Sequence, residues 1–293
     1  LTMAVVSHPG YSKDINAATE ALIARPHDPS ILVRRADLWR LSGRYAEALE
    51  DLAHAEGVNA NWIDVWRVRG LTRHDMGQLH QAEHDLSHYL QLAGENAQAL
   101  ELRAIIRQRL GYPDEAVSDY DRALALTADV DLFLARARIL RQQGRLEAAA
   151  VGLRDGLTRT HSSVLRWELC EIELESNNPD AALSLIEDRA DIGVRWLLLR
   201  ARIHDQRGDE HSALTDRERA LEKSNYLLHQ RPSIQNLKQH ARALLALRRY
   251  TMAAKVLERV LRTHPNDLEG LSLKKFATKN RVRTSPGDQK EVQ

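Results

Sequence analysis

Cysteine is nearly absent. Cys170 is the only one in 293 residues, so neither an internal disulfide nor a cysteine-built zinc site can form. Proline (8) and glycine (14) are scarce, which argues against a turn-dense β-sandwich or barrel. No apolar run approaches the roughly 18–20 residues a bilayer-spanning helix needs. Neither sign of charge is in excess: Lys plus Arg total 42 and Asp plus Glu 41, a net of +1. Nucleic-acid binders usually show a marked basic excess, so DNA and RNA are not expected partners. Catalytic signatures are missing too. The chain has no Gly-rich phosphate loop, no Gly-x-Ser-x-Gly, no His-Glu-x-x-His and no dinucleotide fingerprint, so neither an enzyme nor a cofactor is expected.

What is present is a globular composition, 43% hydrophobic and 28% charged, with a strong internal period. A small residue recurs seven positions before a turn residue. The pairs are Ala36 and Gly43, Gly70 and Gly77, Ala104 and Gly111, Ala137 and Gly144, Cys170 and Asn177, Ala201 and Gly208, and Ala241 and Arg248. Five residues after each turn stands another alanine: Ala48, Ala82, Ala116, Ala149, Ala182, Ala213 and Ala253. Each unit reads as two amphipathic helices. Pro113 and Pro179 fit the first position of a second helix, where a missing N–H costs nothing, and acidic residues follow them at the positive end of the helix dipole.

This pattern over residues 29–265 resembles the tetratricopeptide repeat (TPR) family. Trp66 with Gly70, and the segment Gly43-Arg44-Tyr45-Ala46-Glu47-Ala48, carry the resemblance, as does the repetition itself. Asn177 and Arg248 depart from it by replacing the turn glycine. The resemblance implies an all-α, right-handed superhelical solenoid of about seven helix pairs. It extends to a half repeat at 11–28, marked by Tyr11 and Pro26, and to a capping helix at 266–280. Residues 1–10 read as a stub and 281–293 as a disordered tail. A lengthened second helix is expected at about 209–230, stopped by Pro232, with Ser233 as the next N-cap.

Position seven of the first helix is Arg35, Arg69, Arg103, Arg136 and Arg200. Sixteen residues later stand Asp51, Asp85, Asp119, Gly152 and Asp216. The fifth unit has Leu169 and Leu185 instead, so both partners become apolar together. These arginines are expected to be scaffold ion pairs within each helix pair, and Arg136, which lacks its aspartate, is assigned to Asp119.

The family role implies a scaffold that binds a partner protein or peptide along first helices lining a concave groove. The family's carboxylate-binding subtype uses Lys and Asn at groove positions five and nine. Val33, Asp37, Arg67 and Leu71 stand there instead, so that mode is not expected. Family geometry places Leu134, Trp167 and Leu198 on the groove floor. Arg138, Arg141, Glu171, Arg202, Lys238 and Arg242 form its rim, which suits an acidic segment with an apolar anchor. Glu171 can also bridge Arg138 and Arg202. A second reading is a structural subunit that works through the ends of its solenoid.

Three minor features remain. His80, His84 and His88 recur every four residues and offer a weak metal alternative, although the repeat pattern puts them on a solvent face. Cys170 takes a helix-packing position, which suits a buried thiol. Arginine outnumbers lysine 34 to 8, hinting at a bacterial source, and Leu1 is not an initiator methionine. A cleaved leader would explain that start, so the cell envelope or secretion is expected, with the cytoplasm as the alternative.

Overall fold

The computed structural model describes residues 10–186 and 193–281, which are almost wholly helical and contain no strand. The chain divides into two compact units, the first ending at Leu165 and the second beginning at Arg166. Apart from Gly10 and Arg281, the expected stub and tail lie outside the described residues.

In the first unit a single helix, α1 (Ser12–Ala24), precedes four helical hairpins. These are α2 (Pro29–Leu41) with α3 (Tyr45–Val58), α4 (Ile63–Asp75) with α5 (Leu79–Ala93), α6 (Ala97–Leu110) with α7 (Pro113–Leu126), and α8 (Val130–Gln142) with α9 (Leu146–Thr160). Helix α10 (Ser163–Glu175) begins just before the boundary and pairs with a short α11 (Pro179–Ser184). The second unit continues with α12 (Val194–Gln206) and a long α13 (Glu210–Gln230), then α14 (Ile234–Ala246) with α15 (Tyr250–Thr263), and ends on α16 (Leu268–Arg281). Ser233 caps α14, its hydroxyl accepting from the Asn236 N–H.

All seven hairpin turns use one device. Gly43, Gly77, Gly111, Gly144, Asn177, Gly208 and Arg248 each adopt a left-handed φ, between 58° and 85°. The next N–H then donates to the carbonyl five residues back, as Arg44 does to Trp39, Asn178 to Glu173 and Arg249 to Leu244, each at 2.8 Å. That bond satisfies a carbonyl the helix end would otherwise orphan.

Small residues set the hairpin spacing. Ala36, Ala104, Ala137, Cys170, Ala201 and Ala241 are buried on the first helices, and all seven alanines after the turns are fully buried on the second. At Gly70 the approach is closer still: a Cβ there would sit 2.9 Å from Leu86 Cγ. Within each unit, first helices also pack on the second helix of the preceding hairpin, as α2 rests on α1, α4 on α3, and α16 on α15.

Candidate binding faces

The seventh-position arginines are committed to holding the scaffold. Arg35 grips Asp51 with two bonds of 2.7 Å, and Arg200 grips Asp216 in the same way. Arg103 meets Asp119 at 2.6 and 2.8 Å, and Arg69 meets Asp85 at 3.3 Å. These arginines also reach back to the preceding helix: Arg35 donates to Thr19 at 3.1 Å, Arg103 to Ser87 at 3.0 Å and Arg69 to Glu56 at 2.6 Å. Each of these three arginines therefore clasps three helices. In repeat five the position is apolar, and the Leu185 carbonyl accepts from Arg166 at 3.0 Å.

Arg136 does not pair with Asp119. Its Nε donates to Asp121 at 2.5 Å and its Nη1 to the Ala148 carbonyl at 3.3 Å. Asp119 is already filled, because Arg107 joins Arg103 on it at 2.9 Å. Gly152 supplies the room, since a Cβ there would sit 2.5 Å from Arg136 Nη1. A second cation at position eleven, Arg73 on Asp85 at 2.7 Å and Arg107 on Asp119, escaped the sequence reading. Its signal was the 34-residue recurrence of that arginine.

The expected groove residues fall on both units. Leu134, Arg138 and Arg141 belong to the first; Trp167, Glu171, Leu198, Arg202, Lys238 and Arg242 belong to the second. In the second unit Trp167 is half-buried and stands edge-on to Trp196 with ring centroids 5.0 Å apart. The Arg195 guanidinium lies 4.6 Å over the Trp167 ring, and Leu198 packs on the same core. The basic rim in this unit already has acid on it. Arg202 binds Glu171 at 2.8 and 3.1 Å, Lys238 binds Asp267 at 3.0 Å and Glu269 at 2.9 Å, and Arg242 also pairs with Glu269. The acids beside Lys238 raise its amine pKa above the ordinary lysine value.

In the first unit the first-helix faces are more open. A cavity of about 430 Å³ lies between α2 and α4. Its apolar wall is Val33, Leu38, Trp62 and Val68, and its charged wall is Arg34, Asp37, Asp64 and Arg67. Arg67 is held only by Asp64 on its own helix, at 3.1 Å and in solvent, and among the described residues Arg34 has no ion-pair partner. Further along the same unit, Glu101 is raised by burial and by the neighbouring Asp129 and Asp131 charges, so that stretch is acidic.

Two other sequence candidates remain. The Cys170 thiol is fully buried, with Sγ 3.7 Å from the Ala182 carbonyl, and burial pushes its pKa up to about 12. His84 and His88 do not converge with His80 on a metal; they flank Trp66, whose ring lies 3.9 Å from that of His88. Among the described residues no three His, Cys, Asp or Glu are grouped as a metal ion would require. Among them, too, no helix is long and apolar enough to cross a membrane.

Comparison with known proteins agrees with this architecture. Residues 102–155 match the family described as "Tetratricopeptide repeat". A heat-shock protein cognate co-chaperone, sgt12 of Aspergillus fumigatus, is 36% identical over 73 residues, 25% of this chain and 21% of that protein, so the chain spans about a fifth of that relative's length. Among solved structures, the C-terminal part of a TPR repeat-containing protein from Cytophaga hutchinsonii aligns with TM-score 0.54 at 17% identity, covering 82% of this chain and 98% of that one. YrrB, described as a TPR protein with an unusual peptide-binding site, aligns with TM-score 0.51 at 16% identity, covering 70% and 99%.

Proposed function

The chain is a tetratricopeptide-repeat protein, and from that premise we propose that it is a non-enzymatic scaffold that docks a segment of a partner protein on the first-helix faces of its first unit. The observation that carries this reading is the cavity between α2 and α4. It is concave, has an apolar wall that includes the half-buried Trp62, and bears Arg34, whose charge no described side chain neutralises. Tryptophan and arginine are the side chains most enriched at binding hot spots. The partner segment that fits is short and acidic, with one large apolar side chain set against Trp62 and a carboxylate set against Arg34 and Arg67.

The Trp167 face in the second unit is a weaker dock. Its ring is engaged by Trp196 and Arg195, and its cations are neutralised by Glu171, Asp267 and Glu269.

An array of short acidic peptides, each carrying one Leu, Phe or Trp, tests the proposal. Fluorescence anisotropy on the best binder then compares variants. Trp62→Ala and Arg34→Glu are each expected to weaken binding by about tenfold or more, with helicity unchanged. Trp167→Ala is expected to leave affinity unchanged and to lower thermal stability. Loss of binding in Trp167→Ala, with none in Arg34→Glu, moves the site to the second unit. Export to the cell envelope belongs to the same proposal; mass spectrometry of the mature amino terminus in fractionated cells checks it.

A further inference from the structure

The near balance of charge over the whole chain conceals a local excess. From Lys223 to Asn266 the sequence holds nine Lys or Arg and a single acid, Glu258. This stretch runs from within α13, through α14, to just past α15, all in the second unit. Two of its cations, Lys238 and Arg242, are already taken by Asp267 and Glu269. Three others are free to act. Lys255, Arg259 and Arg262 are exposed and spaced i, i+4, i+7, which sets them on one face of α15. Among the described residues none of the three has an ion-pair partner, and Glu258 is turned to Lys274 of α16 at 3.4 Å.

Arg259 and Arg262 also line a cavity of about 560 Å³ between α15 and the start of α14. Its apolar wall is Pro232, Ile234 and Leu237. No carboxylate lines it, whereas the cavity between α2 and α4 holds Asp37 and Asp64. These features select one kind of occupant. Single-stranded nucleic acid needs aromatic faces on which to stack its bases, and no Phe, Tyr or Trp lines this cavity. A membrane surface is met by apolar side chains that project outwards beside the cations, whereas Ile234 and Leu237 are half-buried in a concavity. An acidic peptide with one aliphatic side chain satisfies both walls. The row from Lys255 to Arg262 covers about 10 Å of helix at about 1.5 Å per residue. Alternate residues of an extended chain lie on the same side about 6–7 Å apart, so acids at alternate positions can follow that row.

We propose that this face is a second docking site, independent of the α2–α4 cavity, for a partner segment with acids at alternate positions and a Leu, Ile or Val beside them. The carboxylates pair with Lys255, Arg259 and Arg262, and the aliphatic side chain enters the cavity against Ile234 and Leu237. The cations are exposed, so the charge contribution is screened by salt while the aliphatic contribution persists.

Fluorescence anisotropy on the full chain tests this, with a fluorescein-labelled peptide of alternating Glu and Ser that ends in one Leu. The background is Arg34→Glu, which is expected to close the α2–α4 cavity to acidic segments. The peptide is expected to bind this background. Adding Arg259→Glu or Arg262→Glu is expected to weaken binding by about tenfold or more, with circular dichroism unchanged. Replacing the Leu of the peptide by Ser is expected to weaken it to a similar extent. Arg249→Glu makes the same charge change at an exposed residue just before α15, outside the cavity, and is expected to have little effect. A loss in Arg249→Glu equal to that in Arg259→Glu would show attraction to net charge alone and overturns the proposal. So does tighter, Arg259-dependent binding of phosphatidylserine vesicles or of an oligouridylate. A synthetic peptide of residues 282–293 is expected not to compete; displacement by it makes the chain's own segment the occupant and overturns the proposal too. Wild-type binding that Arg34→Glu abolishes overturns this site and leaves that of the first unit standing. Wild-type binding that Arg259→Glu abolishes and Arg34→Glu leaves intact does the reverse.

Discussion

At the scale of the residue, the recurring event is a half-buried or buried guanidinium meeting a buried carboxylate. Arg35 and Asp51 are the cleanest case, bidentate and without a second cation on the aspartate. Removing either partner alone leaves a half-buried charge unmatched, whereas removing both reproduces the Leu169 and Leu185 arrangement of repeat five. Arg35→Leu and Asp51→Leu are each expected to cost about 2 kcal/mol, and the double variant clearly less than the sum, by urea denaturation. A second prediction concerns Arg248, whose φ of 60° sits in the left-handed region. That conformation costs a side-chain-bearing residue about 1–2 kcal/mol, partly offset by the greater chain entropy a glycine would lose. Arg248→Gly is therefore expected to stabilise by about 0.5–1 kcal/mol, seen as a higher denaturation midpoint. The Arg–Asp pairs were legible in the sequence because partners within one hairpin keep a fixed offset of sixteen. The acids on Arg202, Lys238 and Arg242 were harder to see, because they lie on the neighbouring repeat at offsets of 31, 29 and 27, which share no fixed spacing.

At the scale of the element, the helix pairs were almost fully legible, because turn chemistry and small-residue spacing act locally. The positive φ of all seven turn residues shows that the backbone device persists where glycine is lost. The open face between α2 and α4 was not legible, because a cavity depends on which side chains stay clear of one another after two helices have docked. One element carries a titratable link. His240 on α14 stands with Nδ1 3.0 Å from Ser224 Oγ on α13. Burial first, and the Arg259 charge second, hold its pKa below the ordinary value of 6.5. The unfolded chain therefore takes up a proton at higher pH than the folded one. The stability this neutral imidazole contributes is fully present above about pH 6.5 and is lost as pH falls through that value toward the folded pKa. The denaturation midpoint is expected to drop between about pH 7.5 and 5.5, and His240→Leu, which copies Leu169, is expected to flatten that slope. An unchanged slope in the variant would assign the pH dependence to other groups.

At the scale of the whole molecule, each hairpin within a unit contacts chiefly its neighbours, so stability should spread locally along that unit. The first unit shows the linkage in detail. Arg35 ties α1, α2 and α3 together through Thr19 and Asp51, Arg69 ties α3, α4 and α5 through Glu56 and Asp85, and Arg103 ties α5, α6 and α7 through Ser87 and Asp119. Every one of these clasps spans three consecutive helices and none reaches further. A lesion in one clasp should then loosen its own hairpin most, the adjoining helices less and the distant ones least, the behaviour of a nearest-neighbour chain. Asp119 is the sharpest place to test this, since it is 1% exposed and holds both Arg103 and Arg107. Asp119→Leu takes the carboxylate from Arg103 and one of two acids from Arg107, which keeps Glu83 at 2.7 Å, and is expected to destabilise its hairpin by about 3 kcal/mol. Hydrogen exchange followed by mass spectrometry should show protection falling most in α6 and α7, next in α5 and α8, and least in α1 to α3. A uniform fall across all these helices would mean that the unit unfolds as one cooperative block, and that the three-helix clasps transmit strain along its length instead of containing it.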